Sequence, residues 1–320
     1  MAGDSKLDRM RRVGVCLMLA LWHCAAYTQQ EPEYSTYFDH IVAFNPAYAG
    51  FRDMVDVTAV YRQQWAGIEG APTTMAIRAH LPVNLRMAPG GVGIAVTNDE
   101  YAFNHNLNVT ATYAYHIFTR HGKLGMGLSA GFWQRELEAS WQFPGTTQGG
   151  TGDPSVPSSS SSDGAFDASF GVYYESSSLY IGISSLHLFE PDFLYEQAGE
   201  PLKRQYYVLG GFKKVLQNPA WEFLPSVLFR TDGKMSNFTA NCRFEYNKKF
   251  YCGVSYRQQD AVTGMLGIEL STGLRIGYAY DFPVSKLGGM SDGSHEFSVR
   301  YQFRLGKERR VYKYKSIRIL

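Results

Sequence analysis

Phe238-Thr239-Ala240-Asn241-Cys242-Arg243-Phe244-Glu245-Tyr246 alternates apolar and polar side chains one by one. An extended strand sends successive side chains to opposite faces, so this stretch has one oily face and one wet one. A helix would need its apolar positions three and four apart, and the stretch does not supply them. The same alternation sets Leu274, Ile276, Tyr278, Tyr280 and Phe282 against Arg275, Gly277, Ala279 and Asp281. It returns with Phe297, Val299, Tyr301 and Phe303 against Glu296, Ser298, Arg300 and Gln302.

Working outward, about fourteen such segments follow, at 53–65, 73–83, 91–98, 105–118, 123–139, 165–175, 179–187, 203–215, 221–231, 236–246, 250–258, 262–270, 273–282 and 294–304. Pro225 conflicts with the ninth, because proline is confined to edges and bulges in sheets. Connections after even-numbered segments are short (Thr119 to Gly122, Ser176 to Ser178, Asn247 to Lys249, Ser271 to Thr272). Those after odd-numbered segments are often long (140–164, 188–202, 283–293). Short periplasmic turns alternating with longer external loops define a bacterial outer-membrane barrel, whose strand number is even and whose termini are periplasmic. The expected fold is therefore all-β: a transmembrane up-and-down antiparallel β-barrel of about 14 strands. The serine run Ser155 to Ser162 falls in the longest external loop and reads as a flexible spacer.

Composition agrees. Twenty-two Tyr, 32 Gly and an aromatic content of 15% suit a barrel with aromatic girdles. A mean hydropathy of -0.24 is that of no helical membrane protein, whose spans each need about 20 mostly apolar residues in a row. A net charge of +2 without a clustered basic face argues against nucleic acid as a partner.

Lys6, Arg9, Arg11 and Arg12 precede the apolar run Val13 to Ala20, and Ala25 and Ala26 offer a cleavage zone, so 1–28 reads as a signal peptide. The rest divides into an N-terminal periplasmic or plug segment at 29–52, the barrel at 53–304 and a basic periplasmic tail at 305–320. Lys307, Arg309 and Arg310 in that tail are candidates for docking an acidic partner, with a solvated end as the plainer reading. Loss of the leader leaves only Cys242 and Cys252. Both have outward parity and sit diagonally, roughly 7–8 Å apart, so free thiols are expected.

Asp56, Arg62, Arg78, Arg243, Glu245, Arg257, Glu269, Arg275, Asp281, Glu296 and Arg300 share inward parity. Both signs are present, which points to a plugged or networked lumen rather than an ion-selective pore. Gly122, Gly125 and Gly127 lack the spacing and the following helix of a phosphate loop, and serve close packing or curvature instead. His295 and Glu296 point to opposite faces and make no acid/base pair. No catalytic constellation emerges and no cofactor is expected.

Several stretches are more distinctive: Gln29-Gln30-Glu31-Pro32-Glu33-Tyr34, Asn45-Pro46-Ala47-Tyr48-Ala49-Gly50, Tyr61-Arg62-Gln63-Gln64-Trp65 with Gly67 and Gly70-Ala71-Pro72-Thr73, Tyr280 to Leu287, and Gly293-Ser294-His295-Glu296. Together they resemble the PorP/SprF family of type IX secretion proteins of the Bacteroidetes, over roughly 29–304. The resemblance implies a non-enzymatic barrel in outer-membrane lipid that serves protein and adhesin export. Its implied partners are periplasmic ring and peptidoglycan-associated components, and secreted cargo. The rival function is a porin or a fatty-acid-type small-molecule transporter.

Closure makes the first and last strands neighbours, so the loops 66–72 and 283–294 should meet at one stretch of external rim. Arg62, Trp65, Gly67, Gly70, Pro72, Lys286 and His295 are the candidate partner-binding rim. The plainer alternative is a seam lock, with Arg62 paired to Asp281 inside. Asn45, Pro46 and Tyr48 are candidates for periplasmic docking.

Overall fold

The computed structural model describes residues 31–85, 88–138, 160–195 and 198–304. Fourteen antiparallel strands make the wall: β1 (Val55–Gln63), β2 (Thr73–Leu85), β3 (Ala88–Tyr101), β4 (Asn104–Phe118), β5 (Gly122–Leu137), β6 (Ser161–Ser176), β7 (Leu179–Leu186), β8 (Gln205–Phe212, resuming at Lys214–Val215), β9 (Trp221–Thr231), β10 (Ser236–Tyr246), β11 (Phe250–Arg257), β12 (Ala261–Glu269), β13 (Leu274–Pro283) and β14 (Ser294–Phe303). Each pairs with the next, and β1 pairs with β14 from Val55↔Phe303 to Gln63↔His295, so the sheet closes. Closure leaves no row of unpaired backbone groups, the condition for strands to stand in lipid.

The side-chain period decides which face is which. Ile77, Ile94, Leu128, Ile183, Leu266 and Phe297 point outward and are exposed, while Asp56, Arg62, Arg78, Arg257, Asp281 and Glu296 point inward and are buried. Cys242 and Cys252 are exposed and free; Cys242 lies opposite Val254 and Cys252 opposite Phe244, which is the diagonal arrangement. Among the described residues no helix is long and apolar enough to cross a membrane.

The ninth segment is a strand as read, 221–231, and three features around the barrel depart from the pattern read in the sequence. Pro225 is inside β9, paired with Cys242 on the β10 side. On the β8 side the ladder stops after Gly211↔Ser226 and resumes at Lys214↔Phe223, so the break falls opposite the residue that has no N–H to donate. β6 begins at Ser161 and so takes up the end of the serine run expected to be loop. The loop after β7 contains its own hairpin, Asp192–Tyr195 with Ala198–Pro201. Its Phe193 and the following Leu202 are fully buried and pack with Trp133, Leu137 and Ala165.

The short turns gather at one end of the barrel. Between β10 and β11, Tyr246 pairs with Phe250 across Asn247 to Lys249, and Asn247 and Lys248 both adopt positive φ, 50° and 54°. β1 starts and β14 ends at this short-turn end.

Candidate functional site

Residues 31–52 run through the lumen. Tyr37–Asp39 and Pro46–Tyr48 are single 3-10 turns and Ile41–Phe44 is one helical turn, which we call α1. Helices this short have no stability of their own. Packing supplies it: Tyr37, Phe38, Ile41, Phe44, Tyr48 and Phe51 form one buried cluster with the inward-facing Tyr173, Leu186, Tyr207, Tyr251 and Met265. The segment begins at the long-loop end, where Glu31 reaches His187 just beyond β7. It descends to the short-turn end, where the Phe51 carbonyl and Asp53 accept hydrogen bonds from Lys123 at 2.7 and 2.9 Å. Glu31 is therefore at the opposite end of the barrel from Phe303.

The Asn-Pro-Ala-Tyr-Ala-Gly stretch has a physical reason at each position. The Asn45 side chain accepts from the Ala47 N–H at 3.1 Å, capping a turn that Pro46 opens. Ala47 and Ala49 are wholly buried because their backbone lies directly on glycines of the wall. A Cβ at Gly125 would come within 2.6 Å of the Ala47 carbonyl, and one at Gly127, Gly91 or Gly171 would strike Ala47, Ala49 or Asn45 in the same way. Tyr48 stacks on Phe51 and meets Tyr173 edge-on at 5.1 Å. Gly50 turns the chain at φ 64°, with a Cβ there blocked by Leu81. The inward glycines of β3, β5 and β6 are thus a seat for the lumen segment.

On the other side of the lumen, polar contacts hold the segment. Ser35 Oγ donates to Asp281 at 2.6 Å and accepts from Arg62 at 2.8 Å. The Ser35 and Thr36 N–H groups both donate to Glu296, at 2.7 and 2.8 Å. Arg62 bridges Asp281 at 2.7 Å and Glu296 at 3.3 Å, and all three side chains are buried. Glu33 pairs with Arg230 and with Arg257, the latter at 3.1 Å. Asp39 pairs with Arg300 at 3.1 Å and Arg275 at 3.5 Å. Burial works against the Glu33 and Asp39 carboxylates, and the surrounding guanidinium groups offset it. At the long-loop end the His187 nitrogens lie 2.7 Å from Asp167 and 2.7 Å from Glu31. Burial opposes its charge, but the two carboxylates raise its pKa to about 9.

The rim is built on the same seam. Ala66 N–H donates to the Gly293 carbonyl at 2.7 Å and Asp292 N–H to the Ala66 carbonyl at 2.7 Å, so the loops after β1 and β13 are joined by backbone bonds. Trp65 is half-buried with φ 51°, and its N–H donates to Ser294 Oγ at 3.1 Å. Gly67, at φ 90°, faces Asp292, while the Gly70 carbonyl accepts from Ala102 N–H. The Pro72 carbonyl accepts from Gln64 N–H. Lys286 opens a short 3-10 turn, Lys286–Gly289. His295 points outward and hydrogen-bonds Tyr278 at 2.8 Å, while its neighbour Glu296 points into the lumen.

Two placements correct the expectations from sequence. Arg62 is 2% exposed and offers nothing at the rim; it is the lock between seam and lumen segment, paired to Asp281. Asn45, Pro46 and Tyr48 are buried against the glycine seat, so they present no docking surface on the periplasmic side. Lys307, Arg309 and Arg310 lie outside the described residues. The glycine seat and the His187 contacts went unread in the sequence. Glycine at alternate inward positions, 91 and 93 on β3 and 125 and 127 on β5, was the available signal for the seat. Among the described residues no group of three or more His, Cys, Asp or Glu is arranged to hold a metal ion.

Comparison with solved structures returns other barrels at low identity. Omp33 of Acinetobacter baumannii is 6% identical with a TM-score of 0.44, over 78% of this chain and 97% of that one. The P. putida toluene transporter TodX is 10% identical with a TM-score of 0.44, over 82% and 93%. A Rh. blastica porin mutant is 7% identical with a TM-score of 0.34, over 78% and 99%. No curated protein sequence matches. Residues 26–301, by contrast, match the family model described as type IX secretion system membrane protein PorP/SprF. That match takes in the lumen segment, its glycine seat and both rim loops, and it places the barrel in the outer membrane: the chain belongs to the PorP/SprF family of type IX secretion system membrane proteins.

Proposed function

We propose that this outer-membrane component of type IX secretion works with its lumen closed, by binding proteins at its two faces rather than by conducting them. The observation that carries this reading is the lumen segment, bonded to the wall on opposite sides, from Gly125, Gly127 and Gly171 to Arg62, Arg257, Asp281 and Glu296. A porin needs a continuous water path and an apolar-ligand transporter an apolar one. Neither is favoured by a lumen crossed by a packed segment and its ion pairs.

At the long-loop end, the joined loops after β1 and β13 are the proposed contact for a secreted cargo protein or an external component. Trp65 is half-buried there, the loop after β13 carries the exposed Val284 and Met290, and Trp is a frequent anchor of protein interfaces. At the short-turn end, the basic tail with Lys307, Arg309 and Arg310 is the proposed contact for an acidic periplasmic ring or peptidoglycan-associated component. Trp65→Ala with Lys286→Ala should abolish cargo secretion while the barrel still accumulates in the outer membrane and shifts on heating. Normal secretion would remove the rim from the mechanism, and loss of the barrel itself would make the loops a seam lock only. Removing 306–320 should leave barrel assembly intact and weaken recovery of the periplasmic partner in a salt-dependent way. Unchanged recovery would make the tail a solvated end.

A further inference from the structure

We propose that the lipid-facing side of β8 to β11, at the short-turn end, is a binding site for an anionic phospholipid. Lys214 is exposed, pairs in register with Phe223 and shares its outward face. Lys248 and Lys249 are exposed in the turn between β10 and β11. That turn is joined to the one between β8 and β9, because Asn247 N–H donates to the Ala220 carbonyl at 2.7 Å. Three cations therefore share one sector of the wall. Among the described residues none of their ammonium groups has a carboxylate partner. The acids of the same strand ends are engaged elsewhere: Glu222 with Lys213 at 2.9 Å, and Glu245 and Glu269 with Arg275 at 3.3 and 2.6 Å. The short turns at Ser176 to Ser178 and Ser271 to Thr272 carry no charge, so the lysines mark this sector out.

Charge and apolar surface together narrow the class. Next to the lysines, Phe223 stacks on Phe244 at 4.8 Å and meets Phe212 edge-on at 6.2 Å, and Trp221 lies 4.9 Å from Tyr246. These outward rings are where an interfacial aromatic belt belongs, and the exposed Val227 and Val254 carry the apolar face on toward the middle of the bilayer. A lysine in such a place lays its aliphatic stem on the apolar surface and lifts its ammonium to headgroup level. A ligand that covers both features needs a negative charge beside a long apolar tail. Soluble phosphate would leave the rings bare. A zwitterionic lipid would bring its own cation to a cluster that has no carboxylate to receive it. Short turns face the periplasm, so the lipids at this level are the phospholipids of the inner leaflet, not lipopolysaccharide. Clustered lysines at a bilayer surface attract anionic headgroups by the same electrostatics.

The test uses the full-length barrel in phosphatidylcholine vesicles, with Trp221 fluorescence as the readout and Trp221→Phe supplying the background. Brominated phosphatidylglycerol and brominated phosphatidylcholine are compared as the same minor fraction of the bilayer, since a brominated chain quenches a tryptophan it touches. Phosphatidylglycerol is expected to quench Trp221 several times more strongly. Lys214→Gln/Lys248→Gln/Lys249→Gln, with the heat-shift of the parent chain, should bring the two lipids to the same level. Should that variant fail to assemble, the preference in the parent chain must vanish at high ionic strength, where surface charges are screened. Equal quenching by the two lipids in the parent chain would overturn the proposal, as would a preference that survives the triple substitution or high salt. Added glycerol phosphate must leave the preference in place; its loss to that soluble competitor would make this a free-phosphate site and overturn the lipid reading.

Discussion

A chain lacking residues 31–52 but keeping residues 1–30 and β1 to β14 should carry steady ion current across a planar bilayer, where the intact chain carries none. The deletion removes Tyr37, Phe38, Ile41, Phe44, Tyr48 and Phe51 from the centre of the lumen and leaves fourteen paired strands in place. It also takes a carboxylate partner from Arg230, Arg257, Arg275 and Arg300, so the current should favour anions. The full-length Gly125→Val/Gly127→Val variant approaches the same state differently, because its new side chains occupy the space of Ala47. It should conduct intermittently and expose the lumen segment to added protease. Silence in both variants, with barrel assembly verified by heat-shift, would mean that something other than this segment seals the lumen.

Arg62→Ala should be the most damaging single substitution in the wall. It leaves Asp281 and Glu296 buried without their bridging cation, and breaking a buried pair from one side costs about 3–5 kcal/mol. Arg257, 3.6 Å from Asp281, compensates in part and puts the expected loss toward the lower end. Arg52→Ala is the control: its pair with Glu175 is 3.5 Å long and half-exposed on the arginine side, and such pairs are worth about 0–1 kcal/mol. The urea midpoint of the gel-mobility shift reads both. Similar midpoints for the two variants would show that the Arg62 cluster is hydrated and not a lock.

The wall was legible in the sequence because the period of two is a covalent property of extended chain, and lipid on one face makes it visible. Phe238 to Tyr246 could be read as a strand without any neighbour, and the inward Arg62 and Asp281 could be read as a pair, as one of two alternatives for the seam. The contents of the lumen were less legible. Asn45, Pro46 and Tyr48 stand out as residues, but their burial depends on glycines about 80 and 125 positions further on, at 125, 127 and 171. Nothing local distinguishes a turn-rich segment that docks on a partner from one that docks on its own barrel. The hairpin Asp192–Tyr195 with Ala198–Pro201 escaped for a related reason, being two strands of four residues too short to show a period.

The central claim, that the barrel serves secretion with its lumen closed, can be tested by locking the segment to the wall. Asn45→Cys/Gly182→Cys puts a thiol on each partner, since a Cβ at Gly182 would stand 2.8 Å from Asn45 Nδ2, and loss of free thiol on oxidation verifies the bridge. Cys242→Ser and Cys252→Ser remove the free thiols among the described residues. Cargo released to the medium is then measured with the bridge closed and again after reduction. Equal secretion in the two states is the predicted result; secretion that stops when the bridge closes and resumes on reduction would contradict a sealed-lumen mechanism.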